Sequence, residues 1–149
     1  MNKLFGDNLM INGMSFNTND VLENKKMIGI YFSKSNCNAC KYVLDDIKSF
    51  NKHIKDNNDD VEMIFPNIDI REDIFLSNAK KVGIFHTEPT DYLTSDKLIK
   101  KYKMTHVPYL VFIDEHGEVI TNRGVVILRD NLQHLKKNMC VIEFIKNYS

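Results

Sequence analysis

Buried extended runs and helical stripes follow one another along this chain. The run from Lys26 to Ser33 is apolar and aromatic without clean alternation, as in a strand that is buried on both faces. After it, apolar residues recur every three or four positions, at Val43, Ile47, Phe50 and Ile54. This spacing places the four side chains on one face of a helix. The pattern predicts a buried strand that leads directly into an amphipathic helix.

The remaining pattern predicts further strands and helices. An Asn12-Gly13 pair between two short apolar runs is typical of a β-hairpin over residues 8–16, because both residues accept positive φ. A further strand is predicted over Val61–Ile68, followed by one helix over Arg71–Lys81 and another that runs from a cap at Thr94 or Ser95 through Tyr102. A second hairpin is predicted from the strands Tyr109–Ile113 and Glu118–Thr121, with Gly117 in its turn. The last predicted helix is capped by Asp130 and has an apolar stripe of Leu132, Leu135, Met139 and Ile142. This order predicts an α/β fold with a mixed central sheet flanked by helices.

The composition narrows the class of protein. The chain has 149 residues, with 20 basic and 20 acidic side chains and a formal net charge of +0. This length predicts one domain spanning residues 1–149. A neutral chain lacks the basic excess of a nucleic-acid-binding protein, and no apolar run approaches the roughly 20 residues of a membrane span. We therefore expect neither nucleic acid nor a membrane among its partners.

The cysteines indicate the compartment. There are three of them, an odd number, and the stretch from Met1 to Phe16 contains no continuous apolar core of the kind found in secretory signals. Cysteines in a reducing compartment serve chemistry or packing rather than structural cross-linking. We expect a cytoplasmic protein.

Cys37 and Cys40 form a Cys-x-x-Cys motif at the junction of the predicted strand and helix. A thiol at a helix N-terminus is stabilised as the thiolate, which can lower its pKa from about 8.5 to roughly 7 or below. Cys40 lies about one turn later and on the side of Val43 and Ile47, so it is predicted to be the shielded partner. These positions predict that Cys37 attacks a disulfide and that Cys40 resolves the mixed disulfide.

Metal binding is the other interpretation of this pair. A structural zinc site needs four Cys or His ligands, and the sequence has no second cysteine pair, while its five histidines are scattered. We expect no metal and no cofactor, with a cluster shared between two chains as the remaining alternative.

Three segments carry a resemblance to a known family. They are Ile30 through Lys41, with Tyr-Phe-Ser-Lys-Ser-Asn-Cys-Asn-Ala-Cys-Lys at its centre, Lys101-Tyr102 through Val107-Pro108, and Leu110 through Asp114 with the later Gly117. Through them the chain resembles the thioredoxin-fold superfamily, and within it most of all the tryparedoxin/nucleoredoxin group. The resemblance covers roughly residues 4–145. It implies a thioredoxin fold with an N-terminal β-hairpin extension.

The resemblance also implies an activity and a substrate site. The activity is that of a protein-disulfide reductase, with disulfide-containing proteins such as peroxiredoxins as substrates and an external thiol or reductase as the electron donor. Pro108 is expected to be cis and to face the disulfide, while Val107 offers backbone hydrogen bonds to an extended substrate segment. His106 and Asn36 complete the expected substrate-binding set.

Some positions depart from the group. Asn36 replaces the tryptophan that normally precedes the first cysteine, and Asn38-Ala39 replaces the usual Pro-Pro or Gly-Pro. Tyr31 lies where thioredoxin itself has a buried aspartate as proton acceptor. The tryparedoxin-like group also has a tyrosine at this position. The acceptor is therefore unassigned. These departures keep a second function open, in which the chain is a binding module or redox-sensitive adaptor with little turnover.

Two further side chains have both a functional and a structural interpretation. His106, two residues before Pro108, could act as a general base or stabilise the thiolate, or it could be an exposed loop histidine. Cys140 falls off the predicted stripe of the last helix and is expected to be partly exposed. It is either a regulatory thiol or a small apolar residue of that helix.

Overall fold

The computed structural model describes all 149 residues. Its helices are α1 (Asn2–Phe5), α2 (Thr18–Leu22), α3 (Asn38–Asn57), α4 (Glu72–Val82), α5 (Tyr92–Lys101), α6 (Gly124–Asn131) and α7 (Val141–Tyr148). Its strands are β1 (Asn8–Ile11), β2 (Met14–Asn17), β3 (Met27–Phe32), β4 (Val61–Phe65), β5 (Phe85–Thr87), β6 (Tyr109–Asp114) and β7 (Val119–Thr121). No helix combines the length and apolarity that a bilayer span requires.

All seven strands belong to one mixed sheet, in the order β2-β1-β5-β4-β3-β6-β7. Strands β3, β4 and β5 are parallel, and β6 runs antiparallel to β3. In the β3–β6 register Phe32 pairs with Tyr109. The end of β3, which leads to Cys37, therefore lies beside the start of β6, which follows Pro108.

Two hydrophobic clusters cover the two faces of this sheet. Successive side chains of a strand point to opposite faces, and in β3 Met27 and Tyr31 join one cluster while Ile28 and Ile30 join the other. The first cluster lies against α3, α4, α6 and α7, and the second against α1, α2 and α5. This double burial explains why the apolar run of β3 shows no alternation.

Most of the predicted elements are confirmed. The N-terminal hairpin, β3, α3, β4, α4 and the β6–β7 hairpin lie where the pattern places them, and Gly117 has a φ of 83° in the second hairpin. Strand β4 ends at Phe65, before Pro66. The pattern misses α1, α2 and the three-residue β5, which are too short to show a period, and it also misses α6. The predicted mixed central sheet flanked by helices, with an N-terminal hairpin, is confirmed.

The start of α5 differs from the prediction. Helix α5 begins at Tyr92, and its N-cap is Asp91 rather than Thr94 or Ser95. The Asp91 carboxylate accepts the backbone N–H of Thr94 at 3.1 Å. As an N-cap, Asp ranks above Thr and level with Ser, and its carboxylate also interacts favourably with the helix dipole.

The predicted last helix is wrong. Asp130 lies near the end of α6, a 3-10 turn follows at Leu132–His134, and α7 begins only at Val141. Leu132, Leu135 and Met139 nevertheless pack against the first cluster from this irregular segment. Their helical spacing reflects a shared need for burial and not a continuous helix.

Two tyrosines attach the segment before β6 to the rest of the fold. The Tyr102 hydroxyl donates to the Gly117 carbonyl at 2.9 Å, and the Tyr109 hydroxyl donates to the Tyr102 carbonyl at 2.7 Å. Burial raises the pKa of Tyr102 to about 12, and the nearby carboxylates of Glu118 and Asp114 add to the rise. Both hydroxyls hold the ends of the loop that contains Val107 and Pro108.

Tyr102 predicts a specific alkaline dependence of stability. Its folded pKa of about 12 exceeds its ordinary value of 10.0, so its stabilising effect is complete below pH 10 and is lost as the pH rises through 12. We expect Tyr102→Phe to lower the free energy of unfolding by about 1 kcal/mol at pH 7. Urea unfolding should show that the gap to wild type narrows between pH 10 and pH 12. A gap that stays constant over this range would contradict the assignment.

Candidate active site

The two motif cysteines are joined in a disulfide at the start of α3, with Cα atoms 5.2 Å apart. Cys37 is the N-cap residue of α3, and its sulfur accepts the backbone N–H of Cys40 at 3.0 Å. Cys37 is half-buried, whereas Cys40 is only 4% exposed. The helix begins here because the N-cap sulfur occupies the place of a capping oxygen. The geometry therefore leaves the Cys37 side partly accessible and shields Cys40 from solvent.

The loop before β6 lies against the Cys37 sulfur. The Val107 carbonyl oxygen is 4.0 Å from the Cys37 sulfur, and the Val107–Pro108 peptide bond is cis. Both residues are half-buried. Sequence positions 37 and 107 meet because β3 and β6 are neighbouring strands. The structure thus brings Val107 and Pro108 to the cysteine pair.

A groove of about 620 Å³ extends from this loop between α3 and α6. Its lining is mainly apolar, from Ala39 and Val43 of α3 and Val125 and Val126 of α6. Helix α6 packs closely on β6 because Gly124 has no side chain: a Cβ there would lie 2.6 Å from the Leu110 carbonyl oxygen. The groove is a continuation of the site around Cys37.

His106 also lines this groove, but Asn36 does not. His106 is exposed, and its ring lies edge-on to Tyr109 with centroids 5.9 Å apart. Its Nδ1 is 3.2 Å from the Thr105 hydroxyl. Asn36 is exposed on the other side of Cys37, where it lines a depression with Lys34 and Ile70. The predicted substrate-binding residues therefore fall on two sides of the cysteine.

A buried aspartate supports the loop before Cys37. Asp69 follows β4, is 8% exposed and accepts the Ser35 hydroxyl at 3.3 Å. Its backbone N–H donates to the side-chain oxygen of the fully buried Asn67 at 2.9 Å, and the Asn67 amide donates to the Pro89 carbonyl at 2.6 Å. This network links the ends of β4 and β5 to the loop that carries the cysteines. The sequence pattern gives no signal for it, since its members are scattered polar residues.

Tyr31 is completely buried and stacks on Phe65, with ring centroids 5.9 Å apart. Burial raises the pKa of its phenol above the ordinary value. The side chain is therefore a neutral phenol near pH 7, and it does not replace an aspartate as a proton acceptor.

Cys140 is the unpaired cysteine and is half-buried. It is the N-cap residue of α7, not part of a longer helical stripe. The carbonyl of the preceding Met139 is 2.9 Å from His53 Nε2 and accepts the Asn57 amide at 3.3 Å. Cys140 does not line the groove beside Cys37. The expectation of partial exposure is confirmed, although the predicted helix is not.

The groove residues that the sequence analysis did not predict include Tyr42, Arg123 and Arg129. Tyr42 lies three residues after Ala39 on α3, so these two side chains are neighbours on the helix surface. A search of that helical face could have found it. The two arginines lie at the start and end of α6, a helix that the sequence pattern did not predict.

The family follows from comparison with known proteins. The model of a family described as Thioredoxin-like matches residues 24–119. The chain belongs to the Thioredoxin-like family. Nucleoredoxin of Bos taurus is 30% identical over 69% of this chain, and probable nucleoredoxin 1 of Arabidopsis thaliana is 28% identical over 70%. The matched segments span only 24% and 18% of those two proteins.

Solved structures share the fold over nearly the whole chain. Tryparedoxin II of C. fasciculata superposes with a TM-score of 0.80 at 19% identity, covering 95% of each chain. Thioredoxin of Wuchereria bancrofti superposes with a TM-score of 0.73 at 25% identity, and the match covers 97% of this chain and 95% of that thioredoxin chain. The expected thioredoxin fold and the resemblance to the tryparedoxin/nucleoredoxin group are confirmed. Together with the Cys37–Cys40 pair, this family membership supports a redox oxidoreductase activity in general.

Proposed function

We propose that the domain is a protein-disulfide reductase that uses Cys37 and Cys40 as its dithiol pair. The observation that carries the proposal is the arrangement of the two sulfurs. Cys37 is accessible at a helix N-terminus and receives the Cys40 backbone N–H at 3.0 Å, a hydrogen bond that favours the thiolate in the reduced form. Cys40 is held beside it and away from solvent.

The proposed cycle transfers two electrons to the substrate. The Cys37 thiolate attacks one sulfur of a substrate disulfide, which forms a mixed disulfide and releases the first substrate thiolate. Cys40 loses its proton and attacks the Cys37 sulfur, so that the Cys37–Cys40 disulfide forms and the second substrate thiolate leaves. Both released thiolates take protons from solvent or from the Cys40 thiol. An external dithiol then reduces the enzyme disulfide and is itself oxidised.

The loop before β6 is the proposed docking element. The Val107 backbone offers hydrogen bonds to an extended substrate segment, in the manner of strand addition, and its carbonyl lies next to the attacking sulfur. Pro108 shapes the surface beside it. His106 lines the same groove, while Asn36 is proposed to contact the substrate from the opposite side of Cys37.

We propose peroxiredoxin-like proteins as substrates and an external thiol or reductase as the electron donor. One solved structure is of tryparedoxin II complexed with glutathionylspermidine. This complex supports a low-molecular-weight thiol as one form of donor for this chain. Reduction of substrates also agrees with a cytoplasmic location, where cellular thiols are kept reduced.

The proposal is tested by turnover with a model protein disulfide. Dithiothreitol serves as the electron donor and insulin as the substrate, and precipitation of the reduced insulin chains is followed by turbidity. We expect catalysis above the uncatalysed rate that is first order in the domain. Reduction no faster than with dithiothreitol alone would favour the binding module or adaptor instead.

A further inference from the structure

The groove beside Cys37 has an unusual charge. Its lining contains Arg123, Arg129 and His106 and no acidic side chain, although the chain as a whole has equal numbers of acidic and basic residues. Arg123 is exposed and forms no ion pair. Arg129 pairs through Nε with the neighbouring Asp130 at 3.1 Å, but both side chains are more than half exposed. A pair of that kind neutralises little of the charge at the groove.

The same groove carries an exposed aromatic side chain. Tyr42 is 85% exposed and projects from α3 about one turn after Ala39; both residues line the groove, as does Val43. Tyrosine and arginine are enriched at the energetic centres of protein interfaces. Across the groove, Val125 and Val126 of α6 are half-buried. The groove therefore combines an apolar surface with positive charge from the ends of one helix.

We infer that this groove selects protein substrates in which the residues beside the disulfide cysteine include an acidic side chain and an apolar one. The inference rests on the proposed function and specifies its substrate class. The substrate backbone lies along Val107, next to the Cys37 sulfur. Its apolar side chain lies between Tyr42 and Val126, and its carboxylate faces Arg123 and Arg129. Tyr42 and the two arginines are specificity-determining residues and take no part in the exchange of sulfur bonds.

The test measures mixed-disulfide formation and not turnover. All variants carry Cys40→Ser and Cys140→Ser, so that Cys37 is the only thiol and the mixed disulfide persists. Two peptides of equal length present an activated disulfide beside a leucine and either an aspartate or a lysine. At low salt we expect the aspartate peptide to react roughly three to ten times faster, since each exposed charge pair contributes modestly. In 1 M NaCl the ratio should approach one, because the Debye length falls to about 3 Å.

The charge-reversal variants identify the source of the preference. Arg123→Glu and Arg129→Glu should each reduce the aspartate-to-lysine rate ratio, and the double variant should invert it. Lys100→Glu is the matched control, because Lys100 belongs to α5 on the opposite face of the sheet, and we expect it to keep the wild-type ratio. Tyr42→Ala should slow both peptides by a similar factor.

Two outcomes overturn the inference. Equal rates for both peptides at low salt exclude the charge preference, and a preference that survives the double arginine variant excludes its assignment to the groove. Failure of the proposed function gives a different result, in which neither peptide forms a mixed disulfide with Cys37.

Discussion

Replacing Cys37 with serine is expected to abolish disulfide reduction, with a loss of about a thousandfold or more in turnover. A serine hydroxyl cannot form a disulfide, and it is scarcely ionised near neutral pH, whereas the Cys37 sulfur receives an N–H at 3.0 Å from the first turn of α3. The measurement is reduction of a protein disulfide with dithiothreitol as donor. Circular dichroism should show an unchanged fold, because the substitution exchanges one small half-buried side chain for another.

The other two cysteines provide the controls. Cys40→Ser should also prevent turnover but should accumulate a mixed disulfide through Cys37, which mass spectrometry detects. Cys140→Ser should retain turnover, since Cys140 lies outside the groove. If Cys37→Ser turned over substrate as wild type does, Cys37 would not be the nucleophile. If Cys37→Ser and wild type bound a partner equally and neither turned over, the domain would be a binding module.

Replacing Phe50 with alanine is expected to cost about 3–5 kcal/mol of unfolding free energy. Phe50 is completely buried in α3, and its ring lies against Phe112 of β6 with centroids 5.7 Å apart. Removing the ring leaves a cavity between the helix that carries the cysteines and the strand that follows Pro108. This cost is a large part of a typical domain stability of 5–15 kcal/mol. Urea unfolding monitored by circular dichroism provides the measurement.

Phe16→Ala is the matched control for this substitution. Phe16 also has an aromatic neighbour, with its ring centroid 5.9 Å from that of Phe85, but it is 40% exposed on the hairpin strand β2. Its replacement should cost about 1 kcal/mol, near the average for a point substitution. An equal or larger loss in Phe16→Ala than in Phe50→Ala would contradict the identification of the helix–sheet core.

The sequence predicts the part of the site that depends on local order. A buried strand, a Cys-x-x-Cys and an amphipathic stripe follow each other without interruption, so the position of Cys37 at a helix start and the shielding of Cys40 follow from period and spacing alone. The meeting of Cys37 with Val107 depends instead on strand order across 70 residues. The prediction of this contact came from the family resemblance, because no local pattern specifies which strands become neighbours.

The groove beyond this contact was not predicted for a physical reason. Helix α6 is rich in β-branched residues and begins at Gly124, a glycine that close packing on Leu110 requires. Such a segment has a weak intrinsic helix signal and is stabilised by tertiary contacts. The later spacing of Leu132, Leu135 and Met139 resembled a helix more strongly than α6 itself. The contribution of Arg123 and Arg129 to the site could therefore be recognised only from the structure.

The reduction potential of the Cys37–Cys40 pair tests the central claim most directly. The domain is equilibrated with glutathione buffers of varied ratio, and its free thiols are trapped and counted by mass spectrometry. For a protein-disulfide reductase we predict a single two-electron transition near −270 mV, the value of thioredoxin. A potential near −120 mV would make the domain an oxidant and contradict the proposed direction of transfer. Failure to form the Cys37–Cys40 disulfide at any glutathione ratio would contradict the dithiol mechanism itself.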